Sequence, residues 1–182
     1  MRIYEGSPRQ DFEEVLRSIG AFVDREALKE ILLLEMDGGY LLQALAMRGA
    51  SADSDAYGSL AKRTYELTDE QVAQLMDEEE QHRGEAADDI PHPGIANYYQ
   101  HAMRVIGAWI DRQRPHDVFL FEQEGGFVLR LFAPAGSHGS GHQLAEFTRD
   151  EILAMIESAP DQRNRPSAIP PAGPPPAGEQ QA

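Results

Sequence analysis

Two glutamates have the residue type and the repeated placement that acid–base chemistry needs. Glu35 and Glu122 each precede a pair of adjacent glycines within a mostly apolar segment. If both carboxylates faced one cavity, unequal surroundings would separate their pKa values for acid and base roles, with His116 as a third titratable group. The simpler interpretation is that each glutamate lies near a turn and reaches water or an arginine. Glu35, Glu122 and His116 are therefore the candidate catalytic residues if the protein is an enzyme.

The densest group of potential metal ligands is His138, His142 and Glu146. Imidazole nitrogen and carboxylate oxygen atoms suit a divalent cation. However, glycines separate the two histidines, and ordering such a loop on binding opposes the metal. The corresponding loop of the first half, residues 50–60, has no histidine. We therefore expect a flexible loop between strands and no metal site.

Other motifs of known chemistry are incomplete in this sequence. The segment from Asp53 resembles the start of a calcium loop, but Tyr57 and Thr64 stand where oxygen ligands are required. The glycine-rich GSHGSG has no Lys and Ser/Thr after it to bind phosphate and magnesium, and neither G-x-S-x-G nor H-E-x-x-H occurs. The chain has no cysteine. These features predict no cofactor and favour a non-catalytic protein over an enzyme.

An internal duplication is the clearest signal in the sequence. Residues 19–46 align without a gap with residues 106–133, and 11 of the 28 positions are identical. The match resumes with ELTDEQVAQLM from Glu66 and EFTRDEILAMI from Glu146. Self-similarity of this kind is typical of repeated structural units. We therefore expect two tandem repeats.

Each repeat predicts the order α-β-β-β-α. Thr68 with Gln71 and Thr148 with Glu151 form capping boxes, which start the last helix of each repeat. The glycine pairs suit tight turns of β-hairpins. Gly20 and Gly107 lie within helical patterns, where we expect each to allow a close approach of another element. The sequence predicts one α+β domain in which the two repeats are related by pseudo-twofold symmetry.

Both faces of each predicted hairpin are apolar. The first hairpin places Ile31, Leu33, Leu42 and Ala44 opposite Leu32, Leu34, Met36, Leu41 and Leu45, and the second places Val118, Leu120, Leu129 and Leu131 opposite Phe119, Phe121, Val128 and Phe132. A sheet with two apolar faces needs cover on both sides. We expect either that the two repeats cover each other or that a second chain does so.

The composition divides the chain into four segments. The repeats occupy residues 1–84 and 93–159, and an acidic linker at 85–92 separates them. Residues 160–182 are rich in proline and poor in apolar side chains, which predicts a disordered tail.

The net charge of −15 constrains the partners. An acidic surface repels phosphate backbones and anionic lipids, so we expect neither nucleic acid nor a membrane as a partner. No segment resembles a signal peptide or a membrane-spanning helix, which predicts a cytoplasmic protein.

Three hypotheses for function follow. The first is a non-catalytic acidic module that binds a partner protein or forms a homodimer. The second is an enzyme or small-molecule-binding protein with a site between the repeats. The third is an acidic mimic of nucleic acid, suggested by the acidic run at 77–80 and by Asp88 and Asp89.

Overall fold

The computed structural model describes residues 11–47, 60–82, 95–113, 115, 117–132 and 141–159. The predicted linker at 85–92 and tail at 160–182 lie outside these residues, as do His116 and His138. The described part is an α+β fold with four helices and six strands. In chain order they are α1 (Asp11–Arg25), β1 (Leu28–Met36), β2 (Gly39–Met47), β3 (Leu60–Thr68), α2 (Asp69–Gln81), α3 (Tyr98–Gln113), β4 (Asp117–Gln123), β5 (Gly126–Phe132), β6 (His142–Phe147) and α4 (Arg149–Ser158).

The two capping boxes predicted from the sequence are confirmed at the starts of α2 and α4. The Thr68 side chain accepts a hydrogen bond from the Gln71 amide, and the Gln71 side chain accepts one from the Thr68 amide. Thr148 and Glu151 make the same reciprocal pair. Each box satisfies amides that a helix start leaves without an intrahelical partner.

The six strands form one antiparallel sheet in the order β3-β2-β1-β4-β5-β6. Two-residue turns close the β1–β2 and β4–β5 hairpins, and Gly38 and Gly125 in these turns have φ of 85° and 78°. A glycine adopts this left-handed conformation without the strain that a side chain would introduce. The two hairpins meet through β1 and β4, where Leu33 lies opposite Leu120.

All four helices pack against the same face of this sheet. Its core residues include Ile31, Leu33, Leu42, Val118 and Leu120, which belong to one buried cluster with side chains of α1, α2, α3 and α4. The prediction of which hairpin residues share a face is thus confirmed. The expectation that the repeats cover each other's sheets is wrong, because the hairpins lie side by side in one sheet rather than face to face.

The opposite side of the sheet, here called the outer face, carries the second set of apolar residues. It comprises Leu32, Leu34, Leu41, Leu45, Phe119, Phe121, Val128, Phe132 and, at the end of β1, Met36. Val128 is buried, Met36 is exposed and the other seven are half-buried, and none of the nine belongs to the core cluster or packs against it. Within the described ranges, therefore, no helix covers the outer face.

Helices α1 and α3 pack against each other at two glycines. A Cβ atom added to Gly20 would lie 2.7 Å from the carbonyl carbon of Tyr99, and one added to Gly107 would lie 2.6 Å from that of Phe12. Real side chains do not approach a backbone so closely. The predicted close approach at Gly20 and Gly107 is confirmed, and each glycine faces the first turn of the other helix.

Buried charges also join the helices. The Arg17 guanidinium of α1 lies 3.0 Å from the Glu79 carboxylate of α2, and both side chains are almost fully buried. Gln100 of α3 donates a hydrogen bond to the same carboxylate. Arg104 of α3 pairs with Glu13 of α1 at 3.2 Å and also donates to the Ala159 carbonyl. Removing one partner of a buried ion pair leaves a charge without compensation, which strongly destabilises a fold.

None of the helices within the described residues is long and apolar enough to cross a membrane.

Replacing Gly107 with alanine tests the helix contact. Alanine is the better helix former by about 1 kcal/mol, but overpacking against the α1 backbone costs about 1 to 3 kcal/mol. We expect Gly107→Ala to lower the free energy of unfolding in urea by up to about 2 kcal/mol, which is the overpacking cost less the gain in helix propensity. Ala73→Gly, at an exposed position of α2, serves as the control, because it measures the difference in helix propensity between alanine and glycine without a change in packing. A Gly107→Ala protein more stable than the parent would show that the helices do not need this close contact.

Candidate functional site

The structure places Glu35 on the core side of β1, where it is 8% exposed. Its Oε2 accepts a hydrogen bond of 3.0 Å from the backbone amide of Val118, at the start of β4. Because the carboxylate binds a backbone group of the neighbouring strand, Glu35 joins the two hairpins.

Glu122 makes the corresponding contact in the other direction. Its Oε2 accepts a hydrogen bond of 3.2 Å from the Ile31 amide of β1 and one of 2.7 Å from the Tyr99 hydroxyl of α3. The regular β1–β4 pairing covers only Leu32 to Leu34 of β1. The two carboxylates therefore extend the junction of the hairpins by accepting amides at both of its ends.

The structure does not bring the two candidate catalytic glutamates together. Glu122 binds the amide of Ile31, which lies four residues before Glu35 in the same strand, a separation of about 13 Å at about 3.3 Å per residue. Carboxylates shift each other's pKa strongly within about 4 to 6 Å. At this backbone separation, each carboxylate is engaged by a backbone amide of the other hairpin.

The metal candidates are divided between described and undescribed residues. His142 and Glu146 lie on β6, an edge strand, and both side chains are exposed. No group of three or more His, Cys, Asp or Glu residues in the described ranges is arranged to hold a metal ion. His138 lies outside those ranges.

Two buried tyrosines lie beside Glu122. Tyr98 donates a hydrogen bond of 2.6 Å to the Gly125 carbonyl in the β4–β5 turn, and the Arg149 guanidinium lies 5.6 Å from its ring centroid. Burial, with a smaller contribution from the Glu122 charge, raises the pKa of Tyr98 to about 12. The same two causes raise the pKa of Tyr99, and its hydrogen bond to Glu122 adds to the effect. Both hydroxyls therefore stay protonated and act as donors well above neutral pH.

The outer face is an apolar surface that no helix of the described residues covers. Two cross-strand rows form its centre, with Leu32 opposite Phe121 and Leu34 opposite Phe119. The Phe119 and Phe121 rings lie 5.7 Å apart. Leu144 of β6, which is 66% exposed, extends the apolar surface to the sheet edge. Contiguous apolar patches of this kind mark interaction surfaces.

Charged residues border the outer face at its edges. The strand register places Lys62 and Glu66 of β3 beside Leu45 and Leu41. At the opposite edge of the sheet, Glu146 of β6 lies opposite Val128. Arg130 lies opposite Phe119 within the face and also lies 5.3 Å from the Phe132 ring centroid. The same register places Lys29 opposite Leu45 and Asp117 opposite Phe132. On and around the outer face, three cations (Lys29, Lys62 and Arg130) therefore balance three carboxylates (Glu66, Asp117 and Glu146).

A second feature is a cleft of about 550 Å³ bounded by α1, β3 and α2, here called the lateral cleft. Phe22, Leu67 and Leu75 supply its apolar lining, and Tyr65 contacts Phe22 edge to face at 5.1 Å. Arg25 and Glu78, 2.8 Å apart, also line it. The volume is in the range of small-ligand sites.

Sequence analysis did not identify the lateral cleft. Its residues come from three elements, and no motif joins them. The only available signal is a difference between the halves: the positions that match Tyr65 and Glu78 are Ala145 and Ser158.

Comparisons with models of protein families, with curated proteins and with solved structures gave no significant match.

Alkaline pH should unfold the protein through its buried tyrosines. The unfolded chain loses the protons of Tyr98 and Tyr99 near pH 10, whereas burial holds the folded pKa of Tyr98 at about 12 and raises that of Tyr99. Their contribution to stability is therefore full below about pH 10 and is lost as the pH rises through the folded pKa values. We expect Tm to fall over this interval, and the Tyr98→Phe variant to show a shallower fall.

Tyrosinate absorbance recorded beside circular dichroism checks this mechanism. Tyr65, which is half-buried, should ionise while the fold persists, and a further rise in absorbance from Tyr98 and Tyr99 should coincide with unfolding. Ionisation of every tyrosine near pH 10 in a folded protein would contradict the buried, protonated state.

Proposed function

We propose that this protein is a non-catalytic assembly module that forms a homodimer through the outer face of its sheet. The observation that carries the proposal is the apolar outer face, which no helix of the described fold covers. Sheets whose two faces are both apolar bury the second face against another layer. A second copy of the chain supplies such a layer in the form of an identical sheet.

The size of the face suits a stable dimer. Six strands about 4.8 Å apart and about seven residues long give a flat footprint of roughly 650 Å². Each partner in a specific complex buries about 800 Å². The flat footprint of the outer face, border strands included, lies at the lower end of the range of about 600 to 1,000 Å² that each partner in a standard specific complex buries.

The charges on the border favour a second copy over a strongly charged partner. The whole chain carries −15, but the three cations and three carboxylates that the strand register places on and around the outer face sum to zero. In a twofold interface the same patch meets itself, so a cation of one copy can meet a carboxylate of the other. A basic or an acidic partner would lose half of these pairs.

The duplication belongs to the same proposal. We infer that the halves arose from one ancestral α-β-β-β-α unit and are related by a pseudo-twofold axis between α1 and α3 and between β1 and β4. Reciprocal contacts support this inference. Gly20 and Gly107 each face the other helix, and Glu35 and Glu122 each bind an amide of the other hairpin. Twofold symmetry produces such exchanged contacts.

Sedimentation equilibrium over a range of protein concentrations tests the dimer. We expect the parent chain to dimerise and Leu34→Glu to be a monomer, because each copy would place a carboxylate in the apolar centre. Ala73→Glu adds the same charge on exposed α2 and should leave the dimer intact. If circular dichroism shows that Leu34→Glu does not fold, Leu41→Lys provides a second test nearer the edge.

The salt dependence gives an independent check. Each copy is strongly acidic, whereas the proposed interface is apolar with a balanced border. Added salt should therefore strengthen dimerisation by screening the repulsion between copies. A parent chain that stays monomeric at high concentration and high salt, or a Leu34→Glu dimer as stable as the parent's, would overturn the proposal.

A further inference from the structure

The lateral cleft combines an apolar lining with an acidic wall. Phe22, Leu67 and Leu75 lie against its interior, and the latter two are almost fully buried. The Glu78 carboxylate is held by Arg25 at 2.8 Å and by the Gln74 side-chain amide at 2.8 Å. These contacts fix the position of Glu78. They also pair the positive charge of Arg25 with this carboxylate.

Glu26 supplies a carboxylate of a different kind. It also lines the cleft, its side chain is exposed, and it makes no ion pair with any residue in the described ranges. Tyr65 lines the cleft as well. Burial raises the pKa of Tyr65, the negative charge of Glu26 raises it further, and the charge of Arg63, which does not line the cleft, acts in the opposite direction.

This arrangement matches a cation on an apolar stem. A lysine or arginine side chain can lay its methylene groups along Phe22 and Leu75 while its charged end meets Glu26 and the aromatic ring of Tyr65. An anionic ligand would face Glu26 and Glu78, and its best cation, Arg25, is already paired. The charge of −15 also draws basic segments toward the surface.

The matching positions of the second half show that folding does not require these polar groups. Gln113, Ala145 and Ser158 stand where the first half has Glu26, Tyr65 and Glu78. There, Trp109 packs edge to face on Phe147 at 5.2 Å. The same α-β-β-β-α arrangement thus forms without the two carboxylates and the tyrosine. Their presence in the first half calls for a role other than stability.

We propose that the lateral cleft binds an arginine or lysine side chain presented by a basic segment of a partner protein. Glu26 meets the charge, Tyr65 meets it with its ring, and Phe22 and Leu75 contact the stem. The inference does not rest on dimerisation, because the cleft is bounded by α1, α2 and β3 and, among its lining residues, only Glu66 also belongs to the border of the outer face.

Titration with short capped peptides, followed by ¹H–¹⁵N NMR of the full chain, tests the proposal. The probes are acetyl-Ala-Arg-Ala-amide and acetyl-Ala-Lys-Ala-amide, with acetyl-Ala-Gln-Ala-amide as the neutral control. We expect the basic peptides to shift amides around Phe22, Tyr65 and Leu75, while the neutral peptide leaves them unchanged.

Two pairs of variants separate the cleft from the general acidity of the chain. Glu26→Gln should weaken binding of the arginine peptide about threefold to fivefold, as expected for one exposed carboxylate. Glu157→Gln removes the same charge from α4, where the side chain is exposed, and should have almost no effect. Tyr65→Phe keeps the ring and should retain most of the binding, whereas Tyr65→Leu should lose it.

Three results would overturn the proposal. They are equal shifts with the neutral peptide, shifts spread over the whole acidic surface, and equal weakening by Glu26→Gln and Glu157→Gln. Sedimentation of the same samples reports the dimer separately, so failure of either proposal can be recognised without the other.

Discussion

The paired helices α1 and α3 carry the constraint on which the rest of the structure depends. Asp24, near the end of α1, is 1% exposed, and its two oxygens accept the amides of Tyr99 and Gln100 in the first turn of α3. Asp111, near the end of α3, accepts the amides of Phe12 and Glu13 in the first turn of α1. Each helix thus caps the other, and the negative charges lie where the helix dipoles favour them. Because the capped amides lie beside Gly20 and Gly107, the close approach and the capping require each other.

This helix pair explains the arrangement of the sheet. Once α1 and α3 lie side by side, the two hairpins that follow them meet through β1 and β4, where Glu35 and Glu122 bind amides across the junction. All four helices then lie on one face, and no helix of the described residues covers the apolar outer face. The proposed dimer follows from this arrangement. The lateral cleft differs, since it lies within one half and three of its lining residues, Glu26, Tyr65 and Glu78, are replaced by Gln113, Ala145 and Ser158 at the aligned positions of the other.

Much of the local structure could be predicted from the sequence, and much of the assembly could not. Capping boxes are short-range patterns, so Thr68 and Thr148 identify helix starts directly. The turn at Gly38 and the alternation of side chains determine which residues share a face.

No comparable signal shows that β1 pairs with β4, because that contact joins residues about ninety positions apart. Glu35 and Glu122 stand at aligned positions of the two similar segments 19–46 and 106–133, yet their partners are backbone amides, which have no signature in the sequence. Asp24 and Asp111 are also aligned in these segments, but their capping role becomes visible only when both helices are in place.

The most direct test of this account is urea unfolding of Asp24→Asn and Asp111→Asn, with Asp77→Asn on the exposed side of α2 as the control. Asparagine keeps the shape of aspartate but removes the charge and one of the two acceptor oxygens. Hydrogen bonds to charged groups contribute about 1.5 to 3 kcal/mol each. We expect each variant to lose stability on this scale in a single transition that fluorescence and circular dichroism report together, while Asp77→Asn is unchanged. A parent-like stability for both variants, or separate unfolding of the two halves, would contradict the claim that reciprocal capping holds the halves together as one unit.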